Sequence, residues 1–125
     1  MSWALSLVPA CEQLAAELTA AGVRATTDRA RLSVPGAWVF PGTAAGRSLA
    51  GDGRARASVL LVAPASGDLE ALRTLCGLLD LALSVVRPAE DVDTSVLFPR
   101  PNSDPLPAFR VAVDLQLPNA ERTDP

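Results

Sequence analysis

The sequence lacks four residue types, since it contains no histidine, lysine, tyrosine or isoleucine. Without histidine it has no example of the commonest general base and metal ligand. Without lysine it has neither a Schiff-base amine nor the lysine of a phosphate-binding loop. All eleven basic residues are arginines and the net charge is −3, whereas a protein that coats DNA is expected to be basic. We therefore expect neither an enzyme nor a DNA-coating protein.

Long apolar runs and a basic N-terminal segment are also missing. No eighteen consecutive apolar residues occur, so we predict no membrane span, and "MSWALSLVPACEQ" reads as structure and not as a signal peptide. We expect synthesis in the cytoplasm. The only cysteines, Cys11 and Cys76, are predicted to be buried free thiols on the apolar sides of two helices. With 125 residues, 49% of them hydrophobic, the chain is sufficient for one domain.

Two helices are predicted, over residues 5–21 and 66–86. The second has a wide apolar face and only a narrow polar stripe, formed by Arg73, Gly77, Asp80 and Ser84. A helix with so little polar surface is expected to be buried on more than one side. It would lie either between a sheet and another helix or against a neighbouring subunit. The predicted apolar face consists of Leu69, Leu72, Leu75, Cys76, Leu79, Leu83 and Val86.

Strands are predicted by alternating or continuous apolar segments, in the chain order α-β-β-β-α-β-β. This order predicts an α+β two-layer domain in which two helices pack on one face of a four- or five-stranded mixed sheet. Residues 1–118 would form the single domain, and residues 119–125 a flexible tail. A proline-rich turn is predicted over residues 100–107. The predicted strands are residues 23–27, 37–40, 54–64, 91–99 and 108–117.

Two segments resemble ligand-binding loops without meeting their requirements. The stretch "GTAAGRS" has three residues between its glycines and Arg47 in place of the lysine, whereas a phosphate-binding loop needs four residues and a lysine. Asp91, Asp93 and Ser95 resemble the start of a calcium loop, but Val96 and Asn102 occupy the positions of its glycine and its closing acid. We predict no cofactor and no metal, and a connecting loop over residues 42–53.

The remaining candidates are charged residues on predicted strands, helices and loops. Those on the strands either form a solvated sheet face or contact another copy of the chain. A long strand with an apolar end is an aggregation hazard unless its edge is covered, which favours assembly. The loop would supply a further contact to a neighbour. The candidate interface residues are Arg47, Arg54, Arg56, Arg73, Asp80, Arg110 and Asp114.

Four segments carry a resemblance to a known family: "AAGVRATTDRARL", "PGAWVFPG", "VAPASGDLEALRTLCGLLD" and "DPLPAFRVAVDLQL". Over roughly residues 5–117 the chain resembles the small tail terminator proteins of long-tailed phages that infect actinobacteria. The arginine-rich, lysine-free composition fits the GC-rich genome of such a host.

The resemblance implies a virion protein without catalytic residues, made in the host cytoplasm. Such proteins are α+β domains that form a ring, usually a hexamer, on the head-proximal end of the tail tube. The ring stops polymerisation of the major tail tube protein and docks to the head connector, and DNA only passes through its lumen.

Three other functions stay open from the sequence. The first is another neck protein, for head closure or tail completion. The second is a small cytoplasmic ligand-binding α+β domain, and the third is an enzyme with a carboxylate or cysteine mechanism. If the loop over residues 42–53 is a contact arm, deletion of residues 44–51 should leave the monomer folded and abolish assembly.

Overall fold

The computed structural model describes residues 6–46 and 53–117, which form two helices and a five-stranded mixed sheet. The α+β fold predicted from the sequence is confirmed, with both helices on one face of the sheet. Arg47 and the predicted tail, residues 119–125, lie outside the described residues. In chain order the elements are α1 (Leu7–Ala20), β1 (Ala25–Thr26), a 3₁₀ helix (Arg29–Arg31), β2 (Gly36–Gly46), β3 (Gly53–Val62), α2 (Asp68–Leu83), β4 (Asp93–Arg100) and β5 (Ser103–Leu117).

The sheet is open, with the strand order β1-β2-β3-β5-β4. β1 runs parallel to β2 and every other pair is antiparallel. β1 pairs with β2 only at Ala37 and Trp38, so residues 39–46, which pair with β3 on one side, have no strand on their other side within the described ranges. β4 forms the opposite edge. The sheet therefore presents two exposed edges on opposite sides of the domain.

α1 ends in a Schellman motif, which explains the glycine that follows it. The Val23 N–H donates to the Leu18 carbonyl over 2.9 Å, and the Gly22 N–H donates to Thr19. Gly22 has φ 106°, a left-handed conformation that glycine adopts at little cost. Leu18 and Val23 are both fully buried, so the motif also contributes an apolar contact to the core.

The glycine-rich segment predicted as a loop over residues 42–53 is partly strand. β2 continues to Gly46, and Thr43 and Ala45 pair with Arg56 and Arg54 of β3. An irregularity between Pro41 and Thr43 brings Gly42 so close to β3 that an added Cβ would lie 2.7 Å from the Arg56 carbonyl oxygen. Deletion of residues 44–51 would therefore remove three strand residues that pair with β3, and not only a connecting loop.

Several predicted boundaries also differ from the structure. β5 begins at Ser103, so the proline-rich turn shrinks to two residues, of which Asn102 has φ 58°. α2 ends at Leu83, before the predicted end at residue 86. The Ser84 Oγ donates to the Leu81 carbonyl over 2.6 Å at this end of the helix. The predicted strand over residues 23–27 shortens to two residues. No helix of the described chain is long and apolar enough to cross a membrane.

The main core lies between the helices and the sheet. Its fully buried side chains come mostly from the central strands β3 and β5 and from β2, because alternate residues of each strand face the helices. A smaller apolar cluster lies on the opposite face of the sheet. The largest fully buried side chains are Leu18, Val23, Val39, Val59, Leu61, Val62, Val111 and Leu117.

Replacement of Leu61 by alanine tests this core. Leu61 is fully buried in β3, whereas Leu97 of β4 is a strand leucine that is 63% exposed. We expect Leu61→Ala to lower the free energy of unfolding by roughly 2–5 kcal/mol, the usual range for such a cavity, and Leu97→Ala to change it by less than about 0.5 kcal/mol. Urea unfolding monitored by circular dichroism measures both. Equal effects of the two variants would contradict the assignment of the core.

Candidate interaction surfaces

Three charged side chains meet on the face of the sheet that points away from the helices, here called the outer face. Arg56 of β3 lies opposite Asp114 of β5, and its Nε donates to Asp114 Oδ1 over 3.2 Å. Arg54 Nη2 reaches Asp114 Oδ2 over 3.4 Å. Glu90 extends the group, with its Oε2 3.8 Å from Arg56 Nη1. Two strands and the segment before β4 thus build one charged strip.

These ion pairs hold the pKa of the Asp114 carboxyl below its usual range. The largest cause is the hydrogen bond from Arg56, and the Arg54 hydrogen bond and the charges of both arginines add to it. All three side chains are more than a third exposed, so solvent screens the pairs and their contribution to stability is small. The strip is a surface of fixed, alternating charge.

Arg110 lies on the same face, further along β5. It stands opposite Leu60 of β3 and Asp93 of β4 and is exposed. Arg54, Arg56, Arg110 and Asp114 therefore share one surface, as the alternation along the strands predicted.

The other half of the outer face is aromatic, which the sequence analysis missed. Trp38 stacks on Phe40 with ring centroids 4.2 Å apart, and Phe98 of β4 meets Trp38 edge-on at 6.4 Å. The Arg29 guanidinium lies 4.8 Å from the Phe98 centroid and donates to the Pro99 carbonyl over 2.7 Å. Cation–π and hydrogen-bond contacts therefore hold the 3₁₀ helix against this face.

Beside the aromatic half, the segment "DRARL" forms the 3₁₀ helix, which Asp28 caps by accepting from the Ala30 N–H. The outer face is not uniformly solvated, because Leu60, Val62 and Phe98 are buried there. The alternation of Trp38 and Phe40 on one side of a strand is the only sequence signal for this cluster.

α2 presents a second surface, on the opposite layer. Its buried line is formed by Ala71, Leu75 and Ala82, of which the sequence analysis predicted only Leu75. Most of the predicted apolar face points outward, since Leu69, Leu72 and Leu83 are 60%, 47% and 45% exposed. The prediction that α2 is buried on more than one side does not hold for the single chain.

The prediction of two buried thiols is right for one cysteine and wrong for the other. Cys11 is buried in the core, and burial raises its pKa. Cys76 is exposed. α2 is oriented so that the shorter side chains of Ala71 and Ala82 face the sheet. In this orientation Cys76 faces outward.

Arg73 and Asp80 lie on the exposed side of α2. Arg73 Nη1 is 3.0 Å from Glu70 Oε1 on the same helix. Because the sheet separates α2 from the charged strip, the predicted interface residues that the structure describes lie on two surfaces and not one.

A groove joins α2 to the β4 edge. Its lining includes Leu72 and Leu75 of α2, Leu97 of β4, and Pro107 and Phe109 of β5. Leu97 is 63% exposed on this groove. The groove is apolar and open along the edge strand, so it extends the exposed apolar surface of α2 to the sheet.

The described residues offer no group of ligands for a metal ion. Within residues 6–46 and 53–117, no three His, Cys, Asp or Glu side chains group in a way that could hold a metal ion.

No protein-family model, curated protein or solved structure matches the chain.

The pKa of Asp114 tests the charged strip. An aspartate carboxyl in the unfolded chain has a pKa of about 3.9, and the pKa of Asp114 in the folded chain is lower. The pairs therefore stabilise the fold above the unfolded pKa, and this stabilisation is lost as the pH falls through the folded pKa. We expect the carbon-13 titration of Asp114 to have a midpoint below the unfolded value. Arg56→Gln should raise the midpoint more than Arg54→Gln does, and an unchanged midpoint in Arg56→Gln would contradict the geometry.

Proposed function

We propose that this chain is a ring-forming virion subunit that caps the head-proximal end of a phage tail tube. In this role it ends polymerisation of the tube and docks the tail to the head connector, without a cofactor. The resemblance of its four sequence segments to tail terminators motivates the proposal. The structural observation that carries it is an open sheet whose two exposed edges lie on opposite sides of the subunit and differ in character.

A ring needs such a pair of sides. In a cyclic assembly each subunit uses one surface to contact the next subunit and a different surface to contact the previous one. One side here is the β4 edge, with Leu97 and the groove that reaches α2. The other is the open edge of β2 at residues 39–46, which pair with β3 on one side only. Since exposed strand edges invite pairing with other chains, burial of both edges in a ring removes that liability.

The charged strip suits contact with the tube or the connector. Arg54, Arg56 and Asp114 alternate in sign on a flat sheet surface, and charges of this kind set specificity and association rate more than affinity. The net charge of −3 suits a lumen through which DNA only passes, because a basic lining would bind its phosphates.

Another neck protein, for head closure or tail completion, is supported by the same two-sided architecture. The two functions differ in place: a terminator binds the end of the tail tube, whereas a head-closure protein binds the portal side in the absence of tubes. Binding to purified tubes therefore separates them.

Tube capping is measured with the purified protein and the polymerising major tail tube protein of the same phage. We expect electron microscopy to show rings at one end of each tube and shorter tubes as the protein concentration increases. Leu97→Arg places a charge on the β4 side and should abolish rings while the fold is retained. Leu81→Arg is the matched control, because Leu81 is an exposed leucine on the other flank of α2, beside Gly22.

Two outcomes would contradict the proposal. The first is tubes of unchanged length without bound protein. The second is capping that is equally sensitive to Leu97→Arg and Leu81→Arg, since the β4 side would then have no special part in the ring.

A further inference from the structure

α2 carries two apolar lines, and the sheet covers only one. Ala71, Leu75 and Ala82 are buried against the sheet. The second line, here called the α2 stripe, runs beside it; four of its five members are exposed, and the fifth, Leu79, is half-buried against the core. Contiguous exposed apolar surface on a soluble domain marks an interaction site. The α2 stripe consists of Leu69, Leu72, Cys76, Leu79 and Leu83.

The spacing of the α2 stripe indicates what covers it. Successive members are three, four, three and four residues apart, which is the heptad spacing of a seam between two packed helices. A helix whose only partner is its own sheet needs no second seam of this kind. The occupant that fits is therefore another helix.

The α2 stripe is complementary to itself when a second α2 runs antiparallel to the first. Its midpoint falls at Cys76, with Leu69 seven residues before and Leu83 seven residues after. A two-fold axis at Cys76 thus places Leu69 of one copy near Leu83 of the other. Such an interface is isologous, because both copies contribute the same surface.

The flanking charges are placed nearly symmetrically about the same midpoint. Arg73 lies three residues before Cys76 and Asp80 four residues after it, both exposed on the solvent side of the α2 stripe. In the antiparallel arrangement Arg73 of each copy therefore meets Asp80 of the other, and the pairing occurs twice. A parallel arrangement would bring Arg73 near Asp68 of the second copy and would leave Asp80 without a role.

We infer that α2 binds α2 of a second copy of this chain, antiparallel, through the α2 stripe and two Arg73–Asp80 pairs. This pairing does not depend on the proposed function. One consequence does rest on it. A two-fold pair is a closed assembly, so pairing would occupy the α2 side of free subunits until the contacts of a ring replace it at the tube end.

Sedimentation velocity of the full chain without tube protein tests the pairing. We expect a concentration-dependent dimer. Arg73→Asp and Asp80→Arg should each raise the dimer dissociation constant about tenfold or more, since each replaces two attractions by two repulsions. The double reversal Arg73→Asp/Asp80→Arg should restore the constant to within about threefold of the wild type.

Two controls separate pairing from folding. Arg31→Asp makes the same change of charge on the 3₁₀ helix, away from α2, and should leave the dissociation constant unchanged. Circular dichroism of every variant should show the same helix content, and recovery in the double reversal excludes misfolding as the cause of weakening in either single variant.

Three results would overturn the inference. A wild-type monomer at every concentration would mean that something other than a second copy covers the α2 stripe. An unchanged constant in Asp80→Arg would indicate the parallel arrangement or another surface. A double reversal as weak as the single variants would show that Arg73 and Asp80 do not meet. Because no tube protein is present, these results leave the test of tube capping independent.

Discussion

α2 can bury only one of its two apolar lines against the sheet. This constraint leaves the second line, the α2 stripe, as exposed apolar surface. Ala71 and Ala82 face the sheet, where their small side chains let the helix approach closely. The leucines of the α2 stripe lie beside this line, and Leu72 among them lines the groove with Leu97 at the β4 edge. Within residues 6–46 and 53–117 no further element covers the exposed members of this stripe, so they form apolar surface that a second molecule could bury.

The two faces of the sheet differ in character. The helix-covered face supplies most of the stability, through a core centred on residues such as Val59 and Val111. The outer face is divided into a charged strip around Asp114 and an aromatic half. Arg29 of the 3₁₀ helix packs on the aromatic half at the Phe98 ring. The sheet thus separates the charged strip from the main core, so substitutions in the strip should leave the core undisturbed.

The sequence predicted those features that arise from local periodicity. The alternation along β5 placed Arg110 and Asp114 on one face, and the chain order of helices and strands predicted the two-layer fold. It failed where long-range contacts decide the outcome. Arg29 donates a hydrogen bond to the carbonyl of Pro99, seventy residues away, and no local pattern in the sequence predicts that contact. Cys76 was predicted to be buried because the whole apolar arc of α2 was assumed to face inward, whereas the sheet accommodates only the line that contains alanines. β2 extends through Gly42 to Gly46 because β3 supplies a partner for its backbone, which outweighs the turn preference of glycine.

The reactivity of Cys76 tests most directly whether the α2 stripe is covered by a second copy. Cys76 lies at the centre of the stripe and is exposed in the single chain, whereas Cys11 is buried and serves as an internal reference. The measurement is the rate at which the native protein reacts with Ellman's reagent over a range of protein concentrations. We predict one reactive thiol per chain at low concentration and a rate that falls steeply as the protein pairs. A Cys76 rate that is the same at all concentrations would contradict the account.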